Sequence, residues 1–195
     1  MTTKEVRPRG RPRRFDPEAA VETAQALFHA RGYDAVGVAD VTAALGINPP
    51  SFYAAFGSKA ALYARVLARW GEHGAIPFAD ILRPDRPVAE GLAALLEAAA
   101  RRYAAGADAR GCLVLEGTRA SDADARDAAL ACNRAAEALI RNYIAARHPL
   151  QAAAVADYVS TVMSGLSAKA RNGHAVDQLI ATARLASRPL ADLLG

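Results

Sequence analysis

Apolar positions recur along most of this chain at three- and four-residue intervals, the spacing that lines one face of an α-helix. No stretch of useful length alternates as a strand would, and no repeat of 20–50 residues is present. The first stripe is Ala20, Ala24, Leu27 and Phe28, with Asp16 before it as a cap, Pro17 at its first position and Gly32 at its end. Val38, Val41 and Leu45 form a second, shorter stripe, closed at once by Gly46, which can adopt the left-handed conformation that ends a helix. Asn48 can cap a third helix that opens on Pro49, turns Phe52 and Phe56 inward and stops at Gly57. Ser58 can cap a fourth, from about Lys59 to His73, striped by Leu62, Val66 and Trp70 with Tyr63 and Leu67 beside them. That helix is too long to serve a small three-helix unit alone, so its far end is expected to pack into the larger C-terminal part of the chain.

Pro77, Pro84 and Pro87 then interrupt the pattern, which places a domain boundary near Gly74. Beyond it, Val88, Leu92, Leu95, Leu96, Ala99 and Tyr103 are in helical phase, and Gly106 and Gly111 bracket a turn. Cys112 to Ala120 reads as a short apolar helix, and Asp122 caps a long one to about Arg147 with Leu130, Asn133, Ala136, Ile140, Tyr143 and Ile144 near one face. Pro149 is expected to open the next helix, striped by Val155, Val159, Val162 and Leu166, with Gly165 permitting close approach by another backbone. Val176, Leu179, Ile180, Ala183, Leu190 and Leu193 define the last. The prediction is an all-α chain of about nine helices: a basic arm (1–14), an N-terminal three-helix helix-turn-helix domain (15–74) and a C-terminal helical domain (75–195). The two short helices over 37–56, joined by a tight turn, have the layout in which a second helix enters the major groove of DNA.

Charge sharpens this picture. Lys4, Arg7, Arg9, Arg11, Arg13 and Arg14 against Glu5 give residues 1–15 a net +5, one more than the +4 of the whole chain, so the other 180 residues are net −1. Such a concentration suits a phosphate-binding arm, the alternative being a solvated tail. Pro8, Gly10 and Pro12 among the arginines cannot build a core, and the arm is expected to be disordered in the free protein. Two cysteines, Cys112 and Cys132, make no disulfide framework and fit a reducing, cytoplasmic setting. No apolar signal segment follows Met1, and the most apolar run, 150–168, carries Asp157 with several Ala, Ser and Thr, which favours a buried helix over a membrane span.

Leu45-Gly46-Ile47-Asn48, Ser51-Phe52-Tyr53, Phe56 and Ser58-Lys59-Ala60-Ala61-Leu62 together resemble the signature of the TetR-type transcriptional regulators, over roughly residues 14–74. The resemblance implies that Thr42, Tyr53 and Lys59 contact phosphates while Asn48, Pro49, Pro50, Ser51 and Ala54 face bases. Phosphate contacts position a protein and base contacts specify sequence. Tyr53 has the alternative of a half-buried core aromatic, and Lys59 that of a merely solvated lysine. The resemblance also implies a homodimer through the last two helices, a palindromic operator, and a small-molecule effector whose binding shifts the fourth helix and re-spaces the recognition helices. The chain departs from the family pattern at Val36 and Gly37, where a phosphate-binding Ser or Thr is common, at Pro49, where a small or basic residue is common, and at Ala55, where a large aromatic or His is common. The proline pair removes two backbone donors from the recognition helix and presents apolar surface, which suits thymine methyl groups better than guanine acceptors.

No catalytic constellation is present: the four histidines are scattered without metal-ligand spacing, and no phosphate-binding glycine loop or nucleophile elbow occurs. No cofactor is implied. Trp70, Tyr103, Cys112, Glu116, Arg119 and Asn133 are the candidate effector-binding residues, and Arg110 near Cys112 suggests a thiol of lowered pKa that senses electrophiles, against the commoner buried, inert cysteine. The reading is a ligand-responsive, most often repressing, DNA-binding regulator; its rival is a helical interaction protein or enzyme with an idle helix-turn-helix, which a mobility shift on the chain's own upstream DNA would separate.

The folded part of the DNA-binding segment, Asp16 to Gly74, offers four basic residues against six acidic ones. The arm is therefore expected to carry much of the affinity, with the narrow Arg9-Gly10-Arg11-Pro12-Arg13 run suited to an A·T-rich minor groove. Each neutralised phosphate contributes about 0.9 to the slope of log affinity against log salt. Deleting residues 1–13 should lower that slope by roughly two to four per dimer and reduce low-salt affinity at least about tenfold, with the fold retained. Operator titrations of intact and truncated protein at several salt concentrations measure it; an unchanged slope would make the arm an idle tail.

Overall fold

A computed structural model describes residues 16–194. Among them the chain is all-helical, in ten elements: α1 (Pro17–Arg31), α2 (Val38–Leu45), α3 (Pro49–Phe56), α4 (Lys59–His73), α5 (Phe78–Ile81), α6 (Val88–Ala104), α7 (Leu113–Gly117), α8 (Ala123–Ala145), α9 (Ala152–Arg171) and α10 (Val176–Leu193). The basic arm lies outside the described residues.

The caps are chemical as well as positional. Asp16 accepts from the Glu18 and Ala19 amides, Asn48 from Ser51 at 2.9 Å, Ser58 from Ala61 at 3.0 Å and Asp122 from Ala125 at 3.1 Å. Gly46 turns the chain between α2 and α3 with φ of 64°, a left-handed conformation that a residue with a Cβ rarely takes. Three details differ from the sequence pattern. The extra element, α5, is one turn closed by the Leu82 amide on the Phe78 carbonyl. Pro149 does not open α9: residues 148–151 form the turn between α8 and α9, leaving Leu150 93% exposed. In α1, Val21 is buried and Leu27 only half-buried, so the inner stripe is Ala20, Val21, Ala24 and Phe28.

Buried apolar residues fall into two clusters. One joins α1 to α4, through Phe28, Val41, Phe52, Leu62, Tyr63 and Val66, to Leu113, Ala120, Ala125 and Ala129. The other joins α6, α9 and α10 with Ile140 and Ile144. Thus α8 gives its first half to one core and its second half to the other, and the first cluster continues past Gly74 into α7 and α8. Val176 and Leu193 of the predicted α10 stripe are exposed. A Cβ built on Gly165 would meet nothing within 4 Å of this chain, so the close approach it permits is not made by the chain's own helices.

Small residues set the spacing where α4, α7 and α8 meet. A Cβ on Gly117 would overlap the Tyr63 hydroxyl and lie 2.9 Å from the Ala129 Cβ. That hydroxyl is buried and donates to the Leu113 carbonyl at 3.2 Å. Gly117→Ala is expected to destabilise by about 1–3 kcal/mol, the ordinary cost of overpacking. Thermal unfolding should register it as a fall of roughly 2–4 °C per kcal/mol for a chain of this size; an unchanged midpoint would mean that Tyr63 can swing aside freely.

Candidate functional site

The helix-turn-helix is pinned from behind. Asp40 accepts from the Gly37 amide at 2.7 Å and from Arg31 at 2.8 Å, and Arg31 also reaches the Ala35 carbonyl at 2.7 Å. The Arg31 guanidinium and the Gly37 N–H hold the Asp40 carboxyl below its usual range. On α3, Phe52 and Phe56 are buried, while Asn48, Pro49, Pro50, Ser51, Tyr53 and Ala54 share the exposed side. Tyr53 is 52% exposed, with its ring edge-on to the buried Phe52 at 5.3 Å.

Two residues expected at phosphates are otherwise engaged. Thr42 is 6% exposed and its hydroxyl donates to the Ala39 carbonyl at 3.0 Å, so the side chain faces into the helix pair. The departure is physical: with Val41 beside it in the core, the hydroxyl is covered and needs an internal acceptor. Lys59 is neither solvated nor free. Its ammonium donates to the Tyr33 and Val36 carbonyls at 3.1 and 3.0 Å and sits 3.9 Å from the Tyr33 ring centroid. Two of its three donors are thereby used, leaving one. Arg9, Arg11, Arg13 and Arg14 lie outside the described residues.

Between α4, the segment 75–79, the ends of α6 and α7, and the middles of α8 and α9 lies a cavity of about 490 Å³. It brings together four of the six candidate effector residues: Trp70, Tyr103, Cys112 and Asn133. Glu116 and Arg119 are not on its wall. With α7 only one turn long, Val114 and Leu115 face the cavity and Glu116 turns toward α9, where it pairs with Arg171 at 2.7 Å; Arg119 is exposed. Sequence reasoning missed Arg102, Cys132, Glu137 and Met163, which also line the cavity. The four-residue spacing of Asn133 and Glu137 on one helix was the available signal for Glu137.

The polar groups of the wall are largely satisfied by one another. Asn133 donates to Glu137 at 2.9 Å, Arg102 to the Gly74 carbonyl at 2.7 Å, and the Arg102 guanidinium lies 4.9 Å from the Trp70 ring. Tyr103 bonds Cys112, and burial pushes the Tyr103 phenol well up. Burial also pushes the Cys112 thiol up; the Leu115 and Val114 amides, Tyr103 and Arg171 oppose it without prevailing. This corrects the expectation of a thiol lowered by Arg110: the guanidinium that acts on Cys112 belongs to Arg171. His29 links this wall to α1, with its ring bonded to the Gly111 carbonyl at 3.0 Å and edge-on to Trp70 at 4.8 Å. Burial lowers its pKa. Among the described residues no group of three or more His, Cys, Asp or Glu is placed to hold a metal, and no helix is long and apolar enough to cross a membrane.

Comparison with known proteins agrees with this geometry. Residues 20–66 match the family of bacterial regulatory proteins described as the tetR family. The chain is 56% identical over 194 residues to the HTH-type transcriptional repressor BdcR of Escherichia coli, covering 100% of this chain and 98% of the relative. It is 27% identical over 189 residues to the repressor ComR of the same organism, covering 88% and 87%. Among solved structures it is similar to a cysteine mutant of the TetR family regulator CifR complexed with 26-bp operator DNA. That match has a TM-score of 0.81 and 33% identity and covers 91% of this chain and 98% of that one. The chain belongs to the TetR family; it is a DNA-binding transcriptional regulator and not an enzyme.

The raised Cys112 pKa has a direct consequence. A thiol raised by burial carries a smaller thiolate fraction at a given pH than a free cysteine. Cys112 should therefore alkylate with iodoacetamide more slowly than free cysteine at pH 7.5. Mass spectrometry of the Cys112 peptide over time reads this; a rate equal to or above that of free cysteine would restore the sensor reading.

Proposed function

We propose that this chain is a homodimeric repressor that holds a palindromic operator and releases it when a small molecule enters the cavity beside Trp70. The observation that carries this reading is the position of the cavity: its wall includes Leu67 and Trp70 of α4, the helix whose first residue, Lys59, fastens the segment ahead of α2. A ligand that displaces the far end of α4 therefore acts on the helix-turn-helix without touching it. The full-length similarity to a repressor supports the direction of regulation. Coupling of about 1–3 kcal/mol between effector and operator, typical of such switches, is equivalent to 5–150-fold in affinity.

In this reading residues 1–14 are the arm, 15–74 the DNA-binding unit and 75–195 the effector and dimerisation unit. The exposed side of α3 reads bases, Tyr53 and the third donor of Lys59 reach phosphates, and the arm follows the minor groove. Dimerisation through α9 and α10 is supported by the open face at Gly165 and by the exposed Leu185 and Leu193. The protein acts in the cytoplasm on double-stranded DNA and needs no cofactor.

Sedimentation should give about twice the 20.4 kDa chain mass. Selection from random DNA with the intact protein should return an inverted repeat, because two-fold protein symmetry imposes two-fold symmetry on the site. A monomer that selects a single half-site would overturn the reading. Trp70 is the only tryptophan in the chain and lies on the cavity, so its fluorescence is the natural readout for an effector screen.

A further inference from the structure

The chain between α1 and α2, Tyr33 to Val36, is held from two directions. From α4, Lys59 binds the Tyr33 and Val36 carbonyls and covers the Tyr33 ring. From the start of α8 come side-chain contacts that cross almost ninety positions of sequence. The Tyr33 hydroxyl donates to Asp122 Oδ2 at 3.0 Å. Asp34 accepts from the Ser121 hydroxyl at 2.7 Å and from the Ser121 amide at 3.0 Å. Asp122 simultaneously caps α8 through Ala125, so the latch is built on the helix terminus itself. Gly37, the cap residue of α2, follows Val36 directly, which leaves the first helix of the reading unit little freedom relative to α8.

The other part of α8 walls the cavity. Cys132, Asn133, Ala136 and Glu137 line it, and the helix runs unbroken from Ala123 to Ala145 without proline or glycine. At 1.5 Å per residue the cavity wall, from Cys132 to Ile140, lies about 15–27 Å along the rod from Asp122. A rod that is displaced at its middle moves at its end, and here the end is tied to the segment that leads into α2.

We propose that Tyr33 and Asp34, gripped by Ser121 and Asp122, are positioning residues through which α8 sets the helix-turn-helix, giving cavity occupancy a second route to DNA beside α4. This rests on the cavity being the effector site. The latch contacts at Asp34 are exposed, so they contribute little to global stability, and cutting them is expected to leave the fold intact. Their role is to make the position of α2 depend on α8.

The test uses the full chain, an operator recovered by selection from random DNA, and Ala136→Phe to occupy the cavity from the α8 side, with Ala136→Met as the smaller alternative should the first fail to fold. Exclusion of the dye anilinonaphthalene sulfonate reports that the cavity is filled, and circular dichroism reports the fold. Filling should weaken operator binding about tenfold with the latch intact and less than about threefold in the Tyr33→Phe, Asp34→Ala double variant. Asp34→Asn, which keeps an acceptor for Ser121, should restore most of the difference. Equal losses with and without the latch would overturn the proposal and leave the α4 route standing. No loss with the latch intact, although the dye is excluded, would overturn both this proposal and the effector role of the cavity.

Discussion

The fold rests on the double burial of α8. Ala125 and Ala129 are fully buried against α4 and α7, while Ile140 and Ile144 are buried against α6 and α9. The residue sizes differ for a reason. Alanine at the first pair lets α8 approach the Tyr63 ring and the bare backbone of Gly117, whereas isoleucine at the second adds apolar volume to the other core. Interiors are packed as densely as organic crystals, so neither half of the helix can move without its neighbours following. A single helix anchored in two cores makes the two parts of the molecule mechanically dependent. The hydrophobic pattern of residues 15–74, read alone, describes a unit that the structure completes with α7 and α8.

The charge distribution follows from the same economy. Arg31, Arg65 and Arg69 are the arginines between Asp16 and Gly74, and they pair with Asp40, Glu18 and Glu22 at 2.8–3.2 Å. Lys59 is bound to two carbonyls. The folded DNA-binding segment thus has its cations committed to holding α1, α2 and α4 together. Exposed ion pairs of this kind are worth only about 0–1 kcal/mol and can be exchanged for a phosphate at small cost. The excess charge that draws a protein to DNA is nonetheless placed in the first 15 residues, and α3 turns its two prolines, Ser51, Tyr53 and Ala54 outward without a charged side chain.

What was legible in the sequence was local. Asp16, Asn48, Ser58 and Asp122 cap the helices they precede because a short polar side chain can reach only the next turn, and Gly46 and Gly57 end helices through their own backbone. Helical phase located most buried faces for the same reason. What was not legible depends on partners distant in sequence. Lys59 is fixed by carbonyls 23 and 26 positions away, Glu116 by Arg171, and the Cys112 thiol by burial beside Tyr103. The burial of Thr42, whose hydroxyl donates to the Ala39 carbonyl, likewise depends on how α2 packs rather than on its neighbours in sequence. Pro149 misled because proline suits both the first turn of a helix and the turn before one.

The cavity wall carries a constraint on whatever enters it. Its polar groups are engaged in pairs, Asn133 with Glu137 and Tyr103 with Cys112, and Arg102 serves the Gly74 carbonyl and the Trp70 face. An apolar ligand gains about 25 cal/mol for each Å² it removes from water against Leu67, Ile76, Leu115 and Met163, whereas a polar one competes with bonds already made or uses the donors and acceptors they leave over. Affinity is expected to come from apolar contact and selectivity from the Asn133–Glu137 pair, whose opening is worthwhile only for a ligand that satisfies both groups. Trp70 joins this wall to two other helices. Its ring lies 4.9 Å from the Arg102 guanidinium and 4.8 Å from the His29 ring, so the cavity, α6 and α1 meet at one side chain.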